Sequence, residues 1–393
     1  MPNPTLADFV CFNDEKLAQR FGAKPIPMST LYEAYFDGAI DLKPGVTIAD
    51  LLAKRQLFVK YSLTQDHLKW AVKNFVPEVS LHSRASDQRL VREHYDRGNE
   101  FFESFLGPRM AYTCAHFTDP GDSLEAAQDA KLARVALRLE LRPEHRLLDI
   151  GAGFGALVTY VAREHQVKAI GISLAQNEAQ LANERIAAWG LGERAQVRCA
   201  DYRDLEGERY DRITCLEMIE HVGVKNLSSF LQRVRELLTD DGLFLLQWTG
   251  LRRGLQPEDL IWGLFMNRYV FPGADASLPP GSMLKATEKA GFECQLMENL
   301  SPHYALTISA WARNWERQRE LIVARFGERW FRIWSFFLAW SSLVAKQGSA
   351  ACFQVVLNKN EASFDRMARL SQRAPWAEQP ARPHEPAHAA AAE

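Results

Sequence analysis

Apolar positions in the central part of the chain follow two alternating patterns. Short continuous apolar runs are typical of buried strands, and the longer segments between them space their apolar residues as amphipathic helices do. Apolar-rich segments, each interrupted by one or more polar residues, predict strands at 147–150, 167–172, 196–200, 210–216, 243–249, 292–298 and 352–357. The segments between them predict helices at 156–164, 175–189 and 226–238. This order predicts an α/β fold with a doubly wound, mostly parallel sheet, which binds ligands at the carboxyl ends of its strands.

The regions on either side of this pattern differ from it. Residues 1–85 contain short amphipathic segments broken by proline and glycine, which predict a small, mainly helical N-terminal domain. Residues 86–371 form the predicted sheet domain, and 252–284 is an insertion in it that is rich in aromatic residues and turns. Because this insertion follows the carboxyl end of a strand, we expect it to form a lid over a pocket. Residues 372–393, rich in proline and alanine, predict a disordered tail.

The first predicted strand of the sheet runs into a glycine turn, DIGAGFG at positions 149–155. Glycine tolerates positive φ, and its missing side chain lets a ligand approach the free N–H groups of the following helix. Together with Ala156 the spacing also satisfies the dinucleotide fingerprint G-x-G-x-x-A. The turn by itself therefore fits either a nicotinamide or flavin oxidoreductase or an enzyme that uses S-adenosylmethionine (SAM). A turn needed only for close packing of strand and helix is the third interpretation.

Acidic residues around the turn help to distinguish these ligands. A dinucleotide site places a carboxylate at the end of the next strand, where it holds the ribose hydroxyls. The strand at 167–172 is followed by no carboxylate before Glu178. The acid instead precedes the glycines, as Asp149, and the pair Asp201-Tyr202 closes the third strand. This arrangement resembles the motifs of class I SAM-dependent methyltransferases, which implies a Rossmann-like fold and SAM as the cofactor.

Composition and charge narrow the range of partners. The 393 residues are 47% hydrophobic, and 47 basic against 49 acidic residues give a net charge of −2. The sequence has no dense run of Lys or Arg, so we expect no binding to nucleic acid. Six cysteines without C-x-x-C spacing suggest neither a disulfide framework nor a metal site. We see no signal peptide and no uncharged apolar stretch of roughly 18 residues, and therefore expect a cytoplasmic protein, soluble or peripherally associated with a membrane.

Four short sequence motifs carry a family resemblance. They are His94-Tyr95-Asp96, Tyr112-Thr113-Cys114-Ala115, EMIEHVG at 217–223, and His303-Tyr304. These motifs resemble signature blocks of the cyclopropane fatty acid and mycolic acid synthase superfamily, and the resemblance extends over about 90–357. Longer motifs at 94–99, 105–110, 261–267 and 269–277 are similar to motifs of the fungal methyltransferases that methylate the ninth carbon of the sphingoid base. Those enzymes carry membrane-spanning helices near the N-terminus, whereas this sequence shows none.

The resemblance implies a set of cofactor-binding residues. Family positions carry over to Tyr112, Thr113, Asp149, Gly151, Gly153, Ser173, Tyr202 and Arg203. Asp201 precedes the last two, and Glu178 stands where the family often has Gln. A carboxylate accepts hydrogen bonds from ribose hydroxyls at least as well as an amide does, so both acids belong to the predicted SAM site.

The resemblance also implies a base. In cyclopropane synthases a bound bicarbonate takes the proton, held by side chains that correspond to Cys114, Glu220 and Tyr304 together with a histidine. Gln247 stands at the place of that histidine, as in the fungal enzymes, and it has no titratable group near neutral pH. His221 is predicted to support the site through a local hydrogen bond. Because of Gln247, we expect methylation without ring closure.

Three of these residues also have purely structural interpretations. Glu220 lies just before a predicted helix, where the helix dipole favours an acidic side chain. Cys114 is of a residue type that is commonly small and buried, and the fungal relatives have Ser at this place. Tyr304 fits a core position, and so does the aromatic helix predicted at 330–343.

The pattern and the resemblance together predict a SAM-dependent C-methyltransferase that acts on the double bond of a lipid acyl or sphingoid chain. Methylation of an alkene builds positive charge on carbon, which an aromatic, water-excluding pocket tolerates, and the last third of the chain is rich in aromatic residues. The alternatives are a cyclopropane-fatty-acyl-phospholipid synthase, a nicotinamide or flavin oxidoreductase, and a non-catalytic lipid-binding protein. The expected partners are an unsaturated lipid, either a phospholipid or a sphingolipid, a membrane surface, and a second copy of the chain in a homodimer.

Overall fold

The computed structural model describes residues 4–70, 73 and 98–367. The motif His94-Tyr95-Asp96 and the predicted tail at 372–393 lie outside the described residues. The strands are β1 Val10–Phe12, β2 Ile26–Pro27, β3 Ile40–Leu42, β4 Val59–Lys60, β5 Arg146–Ile150, β6 Lys168–Ser173, β7 Ala195–Cys199, β8 Tyr210–Leu216, β9 Leu238–Leu251, β10 Phe292–Asn299 and β11 Ala350–Lys359.

The helices of the described part surround the larger sheet and extend beyond it on the N-terminal and C-terminal sides. They are α1 Glu15–Phe21, α2 Met28–Phe36, α3 Ile48–Ala53, α4 Gln65–Trp70, α5 Asn99–Leu106, α6 Leu124–Arg138, α7 Ala156–Glu164, α8 Gln176–Ala188, α9 Leu227–Leu237, α10 Pro257–Tyr269, α11 Pro280–Lys289, α12 Ser301–Arg317, α13 Arg319–Phe326 and α14 Glu328–Lys346. Helix α7 has the predicted limits, and α6 begins after Ser123, whose side chain accepts a hydrogen bond from the Ala126 N–H and caps the helix.

One sheet of seven strands dominates the described part of the chain. Its order is β10-β11-β9-β8-β5-β6-β7. The five neighbouring strands β9, β8, β5, β6 and β7 are parallel to one another, and β11 pairs antiparallel with both β9 and β10. This confirms the predicted α/β fold with a mostly parallel sheet. The prediction was wrong for the start of β9, which begins at Leu238 and not at position 243. Leu238 pairs with Tyr210 across an irregularity in the register, so the polar turn-like residues that follow remain within the strand.

Both faces of this sheet are buried. Leu148 and Ile150 of β5 lie in one core with residues of α9, whereas Leu147 lies in a second core with residues of α6, α7 and α8. Successive side chains of a strand point to opposite faces, so a strand covered on both sides must be apolar at nearly every position. This explains the continuous apolar runs and the doubly wound arrangement.

The N-terminal segment packs against the aromatic helices of the C-terminal third. It contains α1 to α4 and two small sheets, β1 with β3 and β2 with β4. Tyr32 and Phe36 of α2 contact Phe265 of α10 and Phe336 of α14 at ring distances of 5.2–6.3 Å. All four rings belong to one hydrophobic core. The division into domains at 85 and 86 stays a prediction, as does the tail.

Helix α14 is the most aromatic element of this core. Its Trp334 and Trp340 side chains are fully buried, and Trp334 packs 4.7 Å from the ring of Phe101 on α5. Its aromatic residues therefore fill the core of the protein. None of the helices in the described part combines the length and the apolar character needed to cross a membrane.

Candidate active site

The glycine turn forms the floor of a cavity at the carboxyl ends of β5, β6 and β8. Gly151 and Gly153 have φ angles of +81° and +51°, in the region that glycine adopts without strain. A Cβ atom on Gly151 would lie 2.6 Å from two side-chain atoms of Met218. Position 151 therefore admits no side chain unless Met218 or the turn moves.

The structure brings all ten predicted cofactor residues into the wall of this first cavity. They are Tyr112, Thr113, Asp149, Gly151, Gly153, Ser173, Glu178, Asp201, Tyr202 and Arg203. Nine of them come from the loop before α6 and from the ends of β5, β6 and β7, which the parallel sheet places side by side, and Glu178 lies in the first turn of α8. Their individual contacts with SAM stay predictions.

Two carboxyl groups of the first cavity are held out of water. Thr214 Oγ1 donates a hydrogen bond of 2.7 Å to Asp149 Oδ1, and burial raises the pKa of Asp149 to about 6. Ser173 Oγ donates a hydrogen bond of 2.5 Å to Glu178 Oε2, and burial raises the pKa of Glu178 to about 7. A Cβ atom on Gly153 would lie 3.8 Å from the other oxygen, Oε1, so this oxygen is near the glycine turn. These acceptors and the open backbone fit the hydroxyl and amino groups of SAM.

Asp201 holds the rim of the same cavity. Its two carboxylate oxygens accept hydrogen bonds of 2.7 and 2.8 Å from the guanidinium of Arg203, and Oδ1 also accepts from the Arg203 N–H. This bidentate pair fixes the short turn that follows β7. Tyr202, between the two, presents its ring to the cavity wall and to Phe230.

A second, apolar cavity of about 380 Å³ lies beside the first. Its walls come mainly from α10, α12, α14 and the turn after α10, and include Trp262, Met266, Phe271, Trp311 and Phe337. Much of the predicted lid at 252–284 therefore lines this cavity, although its movement as a lid stays a prediction. The two cavities share three wall residues, Tyr112, Glu217 and His221.

Glu220 and Tyr304 face the apolar cavity, as expected for residues near the reacting carbon atoms. Glu220 Oε1 accepts a hydrogen bond of 2.5 Å from the Thr249 N–H, whereas Oε2 is buried without a partner among the described residues. Burial raises the pKa of Glu220 to about 8, and the charge of Glu217 adds to this shift. Glu220 is therefore mostly the neutral acid at pH 7. Burial and Glu217 also raise the pKa of the Tyr304 hydroxyl well above its usual value.

Glu217 is the residue that the sequence analysis missed. Its Oε1 accepts hydrogen bonds from Thr113 Oγ1 at 2.8 Å, from the Cys114 N–H at 2.8 Å, from Gln247 Nε2 at 2.5 Å and from the Cys352 thiol at 3.8 Å. Tyr304 lies close enough for this carboxylate to raise the pKa of its hydroxyl. The sequence does show a second carboxylate, Glu217, three positions before Glu220. The hydrogen-bond partners of Glu217 lie 30 to 135 positions away in the sequence, so the spacing of residues along the chain could not reveal that they cluster.

The remaining predicted catalytic residues have different positions. The backbone N–H of Cys114 donates a hydrogen bond to Glu217, whereas its thiol donates to the Ala115 carbonyl at 3.2 Å. Among the described residues, Cys114 does not line either of the two cavities. The Gln247 side chain is fully buried and reaches the site through Glu217. His221 lies in the wall that the two cavities share, and its predicted supporting role stays a prediction.

The protein combines a doubly wound α/β sheet with a glycine turn that lines a cavity and an acidic residue just before that turn. This is the architecture of a class I SAM-dependent methyltransferase. The sequence model of the mycolic acid cyclopropane synthetase family matches residues 82–355. A sphingolipid C9-methyltransferase of Komagataella phaffii is 42% identical over 382 residues, which cover 94% of this chain and 78% of the relative. The chain belongs to this cyclopropane synthetase family and is a SAM-dependent methyltransferase.

Solved structures of the family have the same fold. The cyclopropane synthase MmaA2 from Mycobacterium tuberculosis is 28% identical, with a TM-score of 0.66 over 69% of this chain and 98% of that protein. The mycolic acid cyclopropane synthase CmaA1, solved in complex with SAH and CTAB, is 26% identical, with a TM-score of 0.65 and the same coverage. These likenesses argue against the oxidoreductase interpretation of the glycine turn.

Proposed function

We propose that this enzyme transfers the methyl group of SAM to a carbon–carbon double bond of a sphingolipid, giving a methyl-branched chain that keeps its double bond. The observation that carries the proposal is the junction of the two cavities at Tyr112, Glu217 and His221. A cofactor in the first cavity and a lipid chain in the second would meet there. The C9-methyltransferase relative supports a sphingoid chain, and a phospholipid acyl chain is the second candidate.

The walls at the junction suit the charge that this reaction creates. Bound SAM would supply a methyl group that accepts an electron pair from the double bond. Attack by the double bond leaves positive charge on the neighbouring carbon, and aromatic ring faces attract such a charge while they exclude water. Tyr112, Phe271 and Trp311 form this surface, with ring centroids 5.6–6.2 Å apart. Their packing keeps the cation from reacting with solvent.

Bicarbonate, the base that the family resemblance implies, does not fit this site. The Cys114 thiol, predicted to hold it, donates to the Ala115 carbonyl instead, and the Cys114 N–H and the Gln247 amide already donate to Glu217 Oε1. A second anion among these groups would share their donors with a carboxylate and would lie next to its charge. We therefore assign no step to bicarbonate.

The product distinguishes the proposal from ring closure. Cells that express the protein and receive methyl-labelled methionine should accumulate label in a sphingolipid that ozone still cleaves at its double bond. Mass spectrometry of the cleavage fragments would locate the methylated carbon. Labelled lipid that resists ozone would identify a cyclopropane synthase, and label in phospholipid alone would replace the sphingoid substrate by an acyl chain. A Gly151→Ala variant serves as the inactive control.

We also propose that the enzyme takes its lipid from the cytoplasmic surface of a membrane. Leu255 and Leu260 line the apolar cavity and are still 55% and 44% exposed. Exposed Arg253, Lys285 and Lys346 line the adjoining groove, where they would face anionic headgroups. Two apolar side chains beside basic residues are typical of a surface that docks on a bilayer. The homodimer stays a prediction.

Replacing both exposed leucines with glutamate should weaken binding to vesicles. Loss of two inserted leucines and gain of two negative charges predict at least about tenfold weaker co-sedimentation of Leu255→Glu/Leu260→Glu with vesicles containing anionic lipid. SAM affinity should stay unchanged. Leu321, 56% exposed on α13, provides the control Leu321→Glu. Equal vesicle binding by the double variant and wild type would contradict the docking surface.

A further inference from the structure

The Glu217 carboxylate lies where the family resemblance would place a bound anion. The resemblance implies a bicarbonate between Cys114, Glu220, Tyr304 and the residue at 247. In this protein the Cys114 N–H, the Gln247 amide and the Thr113 hydroxyl converge on Glu217 Oε1. Carboxylate and bicarbonate are both planar anions with two or more acceptor oxygens. A side chain of the protein thus takes the contacts of the free anion.

The Gln247 amide is fixed so that it donates to Glu217. Gln354 Nε2 donates a hydrogen bond of 2.8 Å to Gln247 Oε1, and Arg138 in turn donates to Gln354 Oε1. Arg138 is also paired with Glu298. With its carbonyl oxygen bound by Gln354, Gln247 must present its NH₂ group to Glu217. Gln247 can therefore donate a hydrogen bond to the Glu217 carboxylate, but its amide cannot accept the proton that the substrate loses on methylation.

A buried lysine offsets part of the negative charge around Glu217. Lys131 is 3% exposed, and its Nζ lies 3.5 Å from Thr113 Oγ1, which donates to Glu217. Burial lowers the pKa of Lys131, whereas the charges of Glu217 and Asp149 oppose that shift. Lys131 therefore lies next to one of the donors that hold the Glu217 carboxylate.

The backbone of Glu217 places its side chain at the junction of the cavities. Its φ is +57°, a conformation that is uncommon for a residue with a side chain and is found where the surrounding structure imposes it. The Glu217 N–H donates to the Gln247 carbonyl at 2.9 Å, which holds this turn at the end of β8. Glu217 is one of three residues that line both cavities. No other carboxylate in the described walls is shared by them.

We propose that the Glu217 carboxylate, and not bicarbonate, is the proton acceptor of this enzyme. This inference rests on the proposed methylation of a double bond. The π electron pair forms a bond to the methyl carbon, and the methyl–sulfur bond breaks with its pair retained by sulfur. Glu217 then takes the proton from the methyl-bearing carbon, and the electron pair of that C–H bond restores the double bond. Neutral Glu217 releases the proton to solvent before the next turnover, and no oxidant is needed.

Two substitutions at one position separate this role from a structural one. Glu217→Gln keeps the size of the side chain but removes the proton acceptor. Turnover should fall by about 10²- to 10⁴-fold, the usual contribution of a general base, while SAM affinity by calorimetry stays within about threefold. Glu217→Gly opens a space of bicarbonate size at a position whose φ suits glycine. Its activity should return in part when bicarbonate is added to CO₂-free buffer, whereas wild type should need no bicarbonate.

Binding of bicarbonate gives a readout that does not depend on the lipid. In NMR with ¹³C-bicarbonate, the Glu217→Gly protein should broaden the signal, and wild type should not. Glu236→Gln, at an exposed carboxylate on α9, is the matched control and should behave as wild type. Bicarbonate binding or dependence in wild type would overturn the proposal, as would full activity of Glu217→Gln. Equal loss of SAM binding in both variants would also overturn it, in favour of a structural role. If wild type methylates no lipid, the proposed function fails, and the NMR comparison still decides whether Glu217 excludes the anion.

Discussion

Replacement of Gly151 with alanine should weaken SAM binding by at least about 100-fold, equivalent to about 2.7 kcal/mol, and should remove detectable turnover. Two effects combine at this position. The φ of +81° strains any residue with a Cβ by roughly 1–2 kcal/mol, and the new methyl group would lie 2.6 Å from Met218 Cβ and Cγ. Met218 lies between the end of β8 and the short helical turn Ile219–His221, so it has little room to withdraw. The turn must shift toward the cofactor, which calorimetry with SAM would measure.

Gly190→Ala is the matched control for this prediction. Gly190 has φ of +67°, lies on the surface after α8, and has no atom within 4 Å of the position of its missing Cβ. The variant should show the backbone strain as a small loss of stability and should bind SAM normally. If Gly151→Ala bound SAM within about threefold of wild type, the close approach of cofactor and backbone at this turn would be contradicted.

The larger sheet was predictable because its strands are buried on both faces. The predicted limits 210–216 agree with β8, in which five of seven residues are buried although Asp211, Arg212 and Thr214 are polar. The start of β9 was not predictable, because its polar residues favour a turn and only the pairing of Leu238 with Tyr210 extends the strand. Local sequence patterns thus locate strands well, except where pairing with a residue distant in the sequence determines the first or last residue of the strand.

The proximity of the predicted cofactor residues to one another was predictable for a related reason. Parallel strands place their carboxyl ends at one edge, so Asp149, Ser173 and Asp201 had to lie close together once the strands were identified. The cluster at Glu217 depends on side-chain directions that no local pattern specifies. The family resemblance named Cys114, but the structure uses its backbone N–H and turns the thiol away. Only the contacts show that the Cys114 N–H and the Gln247 amide meet at the Glu217 carboxylate.

The contact between the N-terminal segment and the rest of the protein also lay beyond the sequence analysis. A predicted separate domain implies few contacts across its boundary. Instead, Arg55 pairs with Glu258 at 2.6 Å, and both side chains are only 6% exposed. Tyr61 and Trp340 donate to the same Glu258 oxygen at 3.0 Å. One carboxylate therefore joins the N-terminal segment, α10 and α14.

Glu258→Ala should lower the free energy of unfolding by about 3–5 kcal/mol, as expected when one partner of a buried ion pair is removed. The loss leaves Arg55 charged and buried without its acceptor. Burial opposes ionisation of Glu258, but hydrogen bonds from Arg55 and Trp340 outweigh it and hold its pKa below 4.5. A group with a lowered pKa stabilises the fold above its unfolded pKa, so the difference from wild type should be full at pH 7 and shrink as the pH falls below about 4. Denaturant unfolding at pH 7 and pH 3.5 would measure both values.

Two further variants show whether the ion pair or the packing is responsible. Arg55→Met combined with Glu258→Leu removes both charges and should recover part of the lost stability, because the cost comes mainly from the unpaired guanidinium. Arg209→Ala removes an exposed arginine that lies 3.6 Å from Asp240, and should change stability by less than about 1 kcal/mol. If Glu258→Ala proved as mild as Arg209→Ala, the N-terminal segment would contribute little to the stability of the rest. A large loss would instead mean that the segment braces α10, and with it the wall of the apolar cavity, so the methyltransferase site would depend on residues far outside the sheet.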